Sequence, residues 1–252
     1  MKIAVCIKQV VTREWQLRVN EQKSWIRDAD ASFELNEPDA YALEEALRLK
    51  EKHGGEVVVC SAGPARASQV IREALARGAD RAIHVEADAL ASADAFAVAD
   101  ALAAAVRDEK FDLVLTGLQS DDQGFGQVGV VLAEKLSMPH ATIIMEVQAS
   151  ESGLRVKREL EGGWFQWVTL PLPAVLTIQS GINQLRYATL KGIMAAKKKE
   201  IRKVAPAAAQ ANQRILRVYF PEKGKKTHMI TGSAGDAAKE LVTRLRDDAR
   251  VL

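Results

Sequence analysis

Apolar and β-branched residues fill Lys2 to Val10 (K-I-A-V-C-I-K-Q-V), which predicts a first strand. A polar segment with Trp15 and Trp25 follows and reads as a hairpin excursion. Ala42, Leu43, Ala46, Leu47 and Leu49 then recur at helical spacing behind Asn36-Glu37-Pro38. Asn is a favoured cap and Pro is tolerated in the first turn, so a helix is predicted from there to Gly54-Gly55. Glu56 to Ser61 carries the unbroken apolar run of a strand buried on both faces. Gly63-Pro64 opens a helix bearing Val70, Ile71 and Leu75, which stops at Gly78. Arg81 to Val85 is a third strand, Ala93 to Arg107 an Ala-rich helix, and Phe111 to Thr116 a fourth strand. Strands alternating with helices predict an α/β fold, a doubly wound, mainly parallel, Rossmann-like sheet with helices on both faces.

After about residue 137 the pattern becomes strand-rich. Ala141 to Val147 is followed by two alternating stretches, Leu154 to Leu160 and Trp164 to Leu170, around Glu161-Gly162-Gly163, a hairpin signal. Pro171 and Pro173 interrupt, and the apolar strand Ala174 to Ile178 follows. These strands extend the sheet or add an antiparallel edge. A loop then leads into a basic helix ending near Lys197-Lys198-Lys199. Pro206 to Gln213 reads as a linker, followed by a strand at Ile215 to Phe220, a P-E-K-G turn and an amphipathic helix at Ala237 to Leu245. One strand and one helix are too little to bury a core. The expected division is a nucleotide-binding α/β domain over 1–203 and an arm over 204–252 that lies on the main domain or on another subunit.

Composition narrows the function. A net charge of +2 over 252 residues gives no field for nucleic acid. The longest apolar candidate, Ala91 to Val106, is broken by Asp94 and Asp100, so no membrane insertion is expected. The N-terminus enters a strand at once, with neither a signal peptide nor an Arg-rich presequence, which places the chain in the cytoplasm. Cys6 and Cys60 lie in predicted buried strands, and His53, His84, His140 and His228 are scattered, so neither a disulfide framework nor a metal site is expected. No nucleophile, acid or base constellation stands out, and no catalytic residue is expected.

The loop after the fourth strand, Gly117 to Gly129, contains G-x-G-x-x-G from Gly124 to Gly129. As a dinucleotide fingerprint it fails on context: six residues separate Gly117 from Gly124, and the unit is the fourth rather than the first. The physics survives the label. A glycine-bearing loop entering a helix offers free N–H groups and a positive dipole end to a phosphate. The segments Cys6 to Val10, Asn36 to Asp39 and Ser61 to Pro64 share that rim. Capping alone would also explain Asn36.

The stretch V-K-R-E-L-E-G-G-W-F-Q-W-V-T-L-P-L-P-A-V-L-T (156–177), with K-I-A-V-C-I-K-Q-V and L-N-E-P-D-A-Y-A-L-E-E-A-L-R-L-K-E, resembles the β subunit of electron-transfer flavoproteins over nearly the whole chain. The resemblance implies an adenine-nucleotide-binding domain that holds AMP as a structural ligand. Adenine and ribose would lie at Cys6, Asn36, Glu37, Pro38, Asp39 and Ala62. The phosphate would lie along Leu118, Gln119, Ser120, Asp121, Asp122, Gly124, Gly126, Gln127, Val128 and Gly129. Several members carry a hydroxyl residue where Val128 stands, which leaves the phosphate to backbone contacts. The resemblance also implies a heterodimer with an α subunit that holds most of the FAD. Flavoprotein dehydrogenases would donate electrons, and an electron-transfer flavoprotein:quinone oxidoreductase would accept them.

In the same resemblance, the segment 184–199 is a recognition loop, with Tyr187, Leu190 and Ile193 docking on the dehydrogenase. Helical spacing alone would instead put Leu190, Ile193 and Met194 on the buried face of the following helix, an assignment kept here for Ile193 and Met194. Two rivals remain. In electron-bifurcating members a second FAD replaces AMP, towards which Gln127-Val128-Gly129 leans, whereas the R-E-L-E-G-G hairpin and the V-Y-F-P-E-K-G-K tail lean away. The other is a stand-alone adenine-nucleotide-binding stress or signalling protein, against which the P-x-V-L-T run and the long tail argue.

Overall fold

A computed structural model describes residues 1–150, 153–206, 211–221, 224 and 227–252. The first four predicted units form in order: strand β1 (Lys2–Cys6), a two-stranded excursion β2 (Gln9–Val11) and β3 (Phe33–Leu35), helix α1 (Glu37–His53), β4 (Glu56–Gly63), α2 (Ser68–Arg77), β5 (Arg81–Glu86), α3 (Ala95–Val106), β6 (Leu113–Gly117) and α4 (Val128–Leu136). Then come β7 (His140–Ser150), the hairpin β8 (Gly153–Glu159) and β9 (Phe165–Leu170), β10 (Ala174–Ile178), α5 (Leu190–Ala196), β11 (Ile201–Val204) and α6 (Ala234–Asp247).

Among the described residues nine strands form one sheet in the order β11-β5-β4-β1-β6-β10-β7-β8-β9. The run from β11 to β7 is parallel, and β8 and β9 continue it antiparallel. Alternation along β1 explains the two cores. Ile3 and Val5 pack with Leu43 and Leu47 of α1 and Ile71 and Leu75 of α2 on one face. Ala4 and Cys6 pack with Leu102 of α3 and Leu132 of α4 on the other. This is the doubly wound arrangement that the pattern predicts.

Several details differ from the sequence reading. The first strand stops at Cys6; Gln9–Val11 turns away to pair with β3, and an isolated bridge joins Val19 to Ile26. The expected strand Ile215 to Phe220 joins no ladder among the described residues; Val218 N donates instead to Lys23 O in the excursion between β2 and β3, at 2.7 Å. The basic helix is the seven-residue α5, which ends before Lys197, and the unexpected β11 follows as an edge strand beside β5. Part of the expected linker and of the P-E-K-G turn lies outside the described residues.

The chain divides into two compact units, Met1–Val218 and Tyr219–Leu252. The second is built around α6, whose start is fixed by Ser233: its Oγ accepts from Asp236 N at 3.3 Å and donates to Asp236 Oδ2 at 2.6 Å.

Candidate functional site

In β1–α1–β4–α2–β5 the chain winds to one side of β1, and α3 then carries it back to β6 on the other side. The loops leaving β1 and β6 therefore part, and a crevice opens outside their carboxyl ends, where open α/β sheets bind ligands. A cleft of about 750 Å³, part of it open to solvent, lies there. Ala62, Leu90, Ala93, Ala95, Val98 and Leu102 make one side apolar. Lys8, Asn36, Asp39, Gln119, Ser120, Gln123 and the start of α4 make the other side polar.

Of the residues expected at a nucleotide, Cys6, Asn36, Asp39, Ala62, Leu118, Gln119, Ser120, Gly126, Gln127, Val128 and Gly129 line this cleft. Glu37, Pro38, Asp121, Asp122 and Gly124 are not among the residues that line it. Glu37 and Asp121 both pair with Arg13, the latter at 3.2 Å. Asp122 pairs with Lys8 at 2.7 Å. Gly124 turns the loop with a φ of +63°, a conformation that glycine adopts without strain.

Asn36 precedes α1 but makes no side-chain cap. Its amide instead holds the loop after β6, with Nδ2 donating to Gln119 O at 3.0 Å and Oδ1 accepting from Asp121 N at 2.9 Å. Asp39, one turn on, accepts from Lys8 N at 2.7 Å and from Gly117 N at 3.0 Å. Thus α1 clasps the two parting loops with two buried polar side chains. Burial pushes the Asp39 carboxyl up to about 7, against the pull of the donors from Lys8, Asn36 and Gly117.

Two glycines make these approaches possible. A Cβ on Gly117 would sit 2.3 Å from Asp39 Oδ1 and 2.7 Å from Pro38 Cβ. One on Gly129 would sit 2.6 Å from both Thr116 Oγ1 and Thr177 Cγ2, so Gly129 brings α4 down onto the sheet.

Lys8 and Gln123 are polar lining residues that the sequence reading does not single out. Lys8 Nζ donates to Asp122 Oδ1 at 2.7 Å, Gln123 Oε1 at 2.8 Å and Ser120 Oγ at 3.3 Å. Gln123 Nε2 is buried without a protein partner, an unspent donor at the cleft. The first N–H groups of α4 are unspent within the helix by its geometry. With Val128 apolar, backbone and amide donors dominate this end. An anion beside an apolar slot fits the donor set. The signal for Lys8 was available: it falls two residues beyond the last residue of β1, on the rim.

The second predicted region is the loop before α5. Tyr187 is 88% exposed and Leu190 83%. Ile193 and Met194 also face solvent, which corrects the spacing-based assignment to a buried face. The cause is the closeness of α5 to α2: a Cβ on Gly192 would sit 2.3 Å from Ala76 O, so small residues, Gly192 and Ala196, must face inward. Lys197 and Lys198 are exposed, whereas Lys199 turns in and donates to Leu75 O at 3.0 Å.

Comparison with known proteins agrees with this architecture. The model of the electron transfer flavoprotein domain matches residues 24–209. The electron transfer flavoprotein subunit beta of Methylophilus methylotrophus is 39% identical over 96% of this chain and 97% of its own length. The human subunit beta is 34% identical, covering 100% of this chain and 99% of its own, and that of Bacillus subtilis is 33% identical over both chains in full. The chain belongs to the electron transfer flavoprotein family, as a β subunit. That is a family of electron carriers; membership implies an α-subunit partner and association with flavin. Among the described residues no helix is long and apolar enough to cross a membrane.

Proposed function

We propose that the cleft binds AMP as a structural ligand, while the partner α subunit holds most of the FAD. The heterodimer accepts electrons from flavoprotein dehydrogenases and delivers them to a membrane quinone oxidoreductase. The observation that carries the nucleotide reading is the two-sided cleft: an apolar slot between Ala62 and Leu102 suits a purine, and the donor-rich start of α4 suits a phosphate. Asn36 and Asp39 would act indirectly, since their polar atoms hold the loops that make the cleft. The flavin supplies the electron transfer when bound; this chain positions and covers it and selects partners.

The segment 204–252 serves as the arm that packs on the α subunit. What supports this is α6, whose Leu241 and Val242 are exposed and which buries none of its side chains among the described residues. An arm of that kind belongs to an obligate interface, on the order of 2,000 Å² or more. Tyr187, Leu190 and Ile193 form the docking tip, with Leu190 as the anchor in an apolar pocket of the dehydrogenase.

Mass spectrometry of nucleotides released by heating the purified heterodimer tests the reading. One AMP and one FAD per heterodimer are expected. Two FAD without AMP would overturn the choice of nucleotide and establish the bifurcating alternative.

A further inference from the structure

The docking tip is held by a clamp on α1. Arg186, three residues before the N-cap Thr189, meets Glu44 as a fork: Nε lies 2.7 Å from Oε2 and Nη2 3.1 Å from Oε1. Its backbone N–H donates to the same carboxylate at 3.3 Å, and Glu51 takes the outer edge of the guanidinium. Arg48 completes the group, donating to Glu44 Oε1 at 2.9 Å and to Gln184 O at 3.3 Å. One turn over, Asn183 Nδ2 donates to Tyr41 O and Glu45 Oε2 at 3.2 and 3.0 Å.

Glu44 is 5% exposed at its side chain. Burial alone would raise its pKa, yet the arginine hydrogen bonds bring it below the ordinary carboxylate value. A charge in that position adds nothing to the apolar packing of α1 and is costly unless paired. Its partners all come from its own helix and from the loop ahead of the tip. On the far side, Thr189 Oγ1 caps α5 at 3.0 Å, and Arg72 of α2 donates to Ala196 O at 2.6 Å and Lys199 O at 2.8 Å. The exposed stretch from Tyr187 to Leu190 is therefore short and fixed at both ends.

We propose that Arg186 is a positioning residue for dehydrogenase docking: its fork on Glu44 holds Leu190 ready in the shape in which it binds. The proposal rests on the docking reading of Leu190. Its physical basis is preorganisation. A loop ordered before encounter does not pay its ordering entropy on binding, and a planar guanidinium on a carboxylate fixes direction as well as distance.

The test uses the intact heterodimer as electron acceptor for a purified flavoprotein dehydrogenase that reduces the wild-type complex. Arg186→Ala should raise KM for the heterodimer roughly tenfold with kcat changed less than about twofold, since the loss is of binding alone. Arg186→Lys, which keeps the charge and loses the fork, should fall between. Flavin content and reduction by dithionite should match wild type, and hydrogen exchange should quicken in 184–192 but not along α1.

A double-mutant cycle separates the two ideas. In a Leu190→Ala background, Arg186→Ala should add almost nothing, because there is no anchor left to position. Independent, additive effects on KM would overturn the positioning role, as would an unchanged KM for Arg186→Ala alongside a raised one for Leu190→Ala. An unchanged KM for Leu190→Ala itself would overturn the docking reading first, and the positioning role with it.

Discussion

The cleft and the docking tip invert the usual partition of residues. At the cleft, polar groups are buried: Asn36 and Asp39 are 1% and 6% exposed. At the tip, large apolar groups stand in water. Exposed leucines and buried carboxylates are the informative departures from a hydrophobic inside and a polar outside. They mean different things. Asn36 and Asp39 are satisfied by backbone from two loops, so they specify a shape. The apolar groups at the tip stay exposed among the described residues, which is what the proposed partner would cover. Helix α1 serves both, with Asn36 and Asp39 at its start and Glu44 and Glu51 further along. If this contrast is right, damage at the cleft should appear in stability, and damage at the tip in docking.

The largest expected effect is on pH dependence. The Asp39 carboxyl ionises near 3.8 in an unfolded chain and near 7 in the fold. Between those values the folded protein keeps a proton that the unfolded chain has released. Stability from this group is therefore full below about pH 4 and is lost as pH rises through about 7, by on the order of 4 kcal/mol. Glu109, held down to about 2 by hydrogen bonds from Arg81, then Lys2, acts in the opposite sense and only at lower pH. Urea denaturation of wild type and Asp39→Asn across pH 4 to 8 isolates the slope. The variant should be flatter over that window; equal slopes would show that Asp39 is not held in this way.

Gly117→Ala should cost about 3 kcal/mol, because the added methyl meets a carboxylate and a proline rather than a movable side-chain end. Gly124→Ala is the comparison: its surroundings are open, and its positive φ costs only about 1 kcal/mol. Chemical denaturation of both should rank them in that order. Equal losses would mean that the cleft rim yields, contrary to a region whose polar groups specify shape.

The sequence makes β1, β4, β5, β6 and β10 legible because these strands are buried on both faces along most of their length. Ala174 to Ile178 falls where the apolar run between Pro173 and Gln179 places it, and all five residues are buried. Edges are less legible. Ile201–Val204 reads as part of a basic run, since only its end residues are partly covered, yet β5 offers it a free edge. Ile215 to Phe220 has the composition of a strand but pairs in no ladder among the described residues. At the cleft the sequence supplies the glycine loop and the rim, but Asn36 looks like a cap because loop Gln119–Asp121 lies far away in sequence. The place of Lys8 on the rim is legible, but its partners are not, since they lie more than a hundred residues on. At the tip, helical spacing misleads because a close contact, Gly192 on Ala76, turns α5 over.

The smallest expected change in stability, and the sharpest test of the contrast, is Leu190→Ala. A buried leucine loses about 2 to 5 kcal/mol on truncation, from lost burial and the cavity left behind. Leu190 has little burial to lose, and the cap that starts α5 is made by Thr189 rather than by its side chain. Melting temperature and flavin content should stay at wild-type values. An anchor that fills a partner's pocket carries about 2 kcal/mol of binding, roughly thirtyfold in affinity. Reduction of the heterodimer by its dehydrogenase should therefore weaken by about that factor at subsaturating concentration and recover at high concentration. A large fall in melting temperature with unchanged reduction kinetics would place Leu190 with the buried residues of the cleft region and end the contrast.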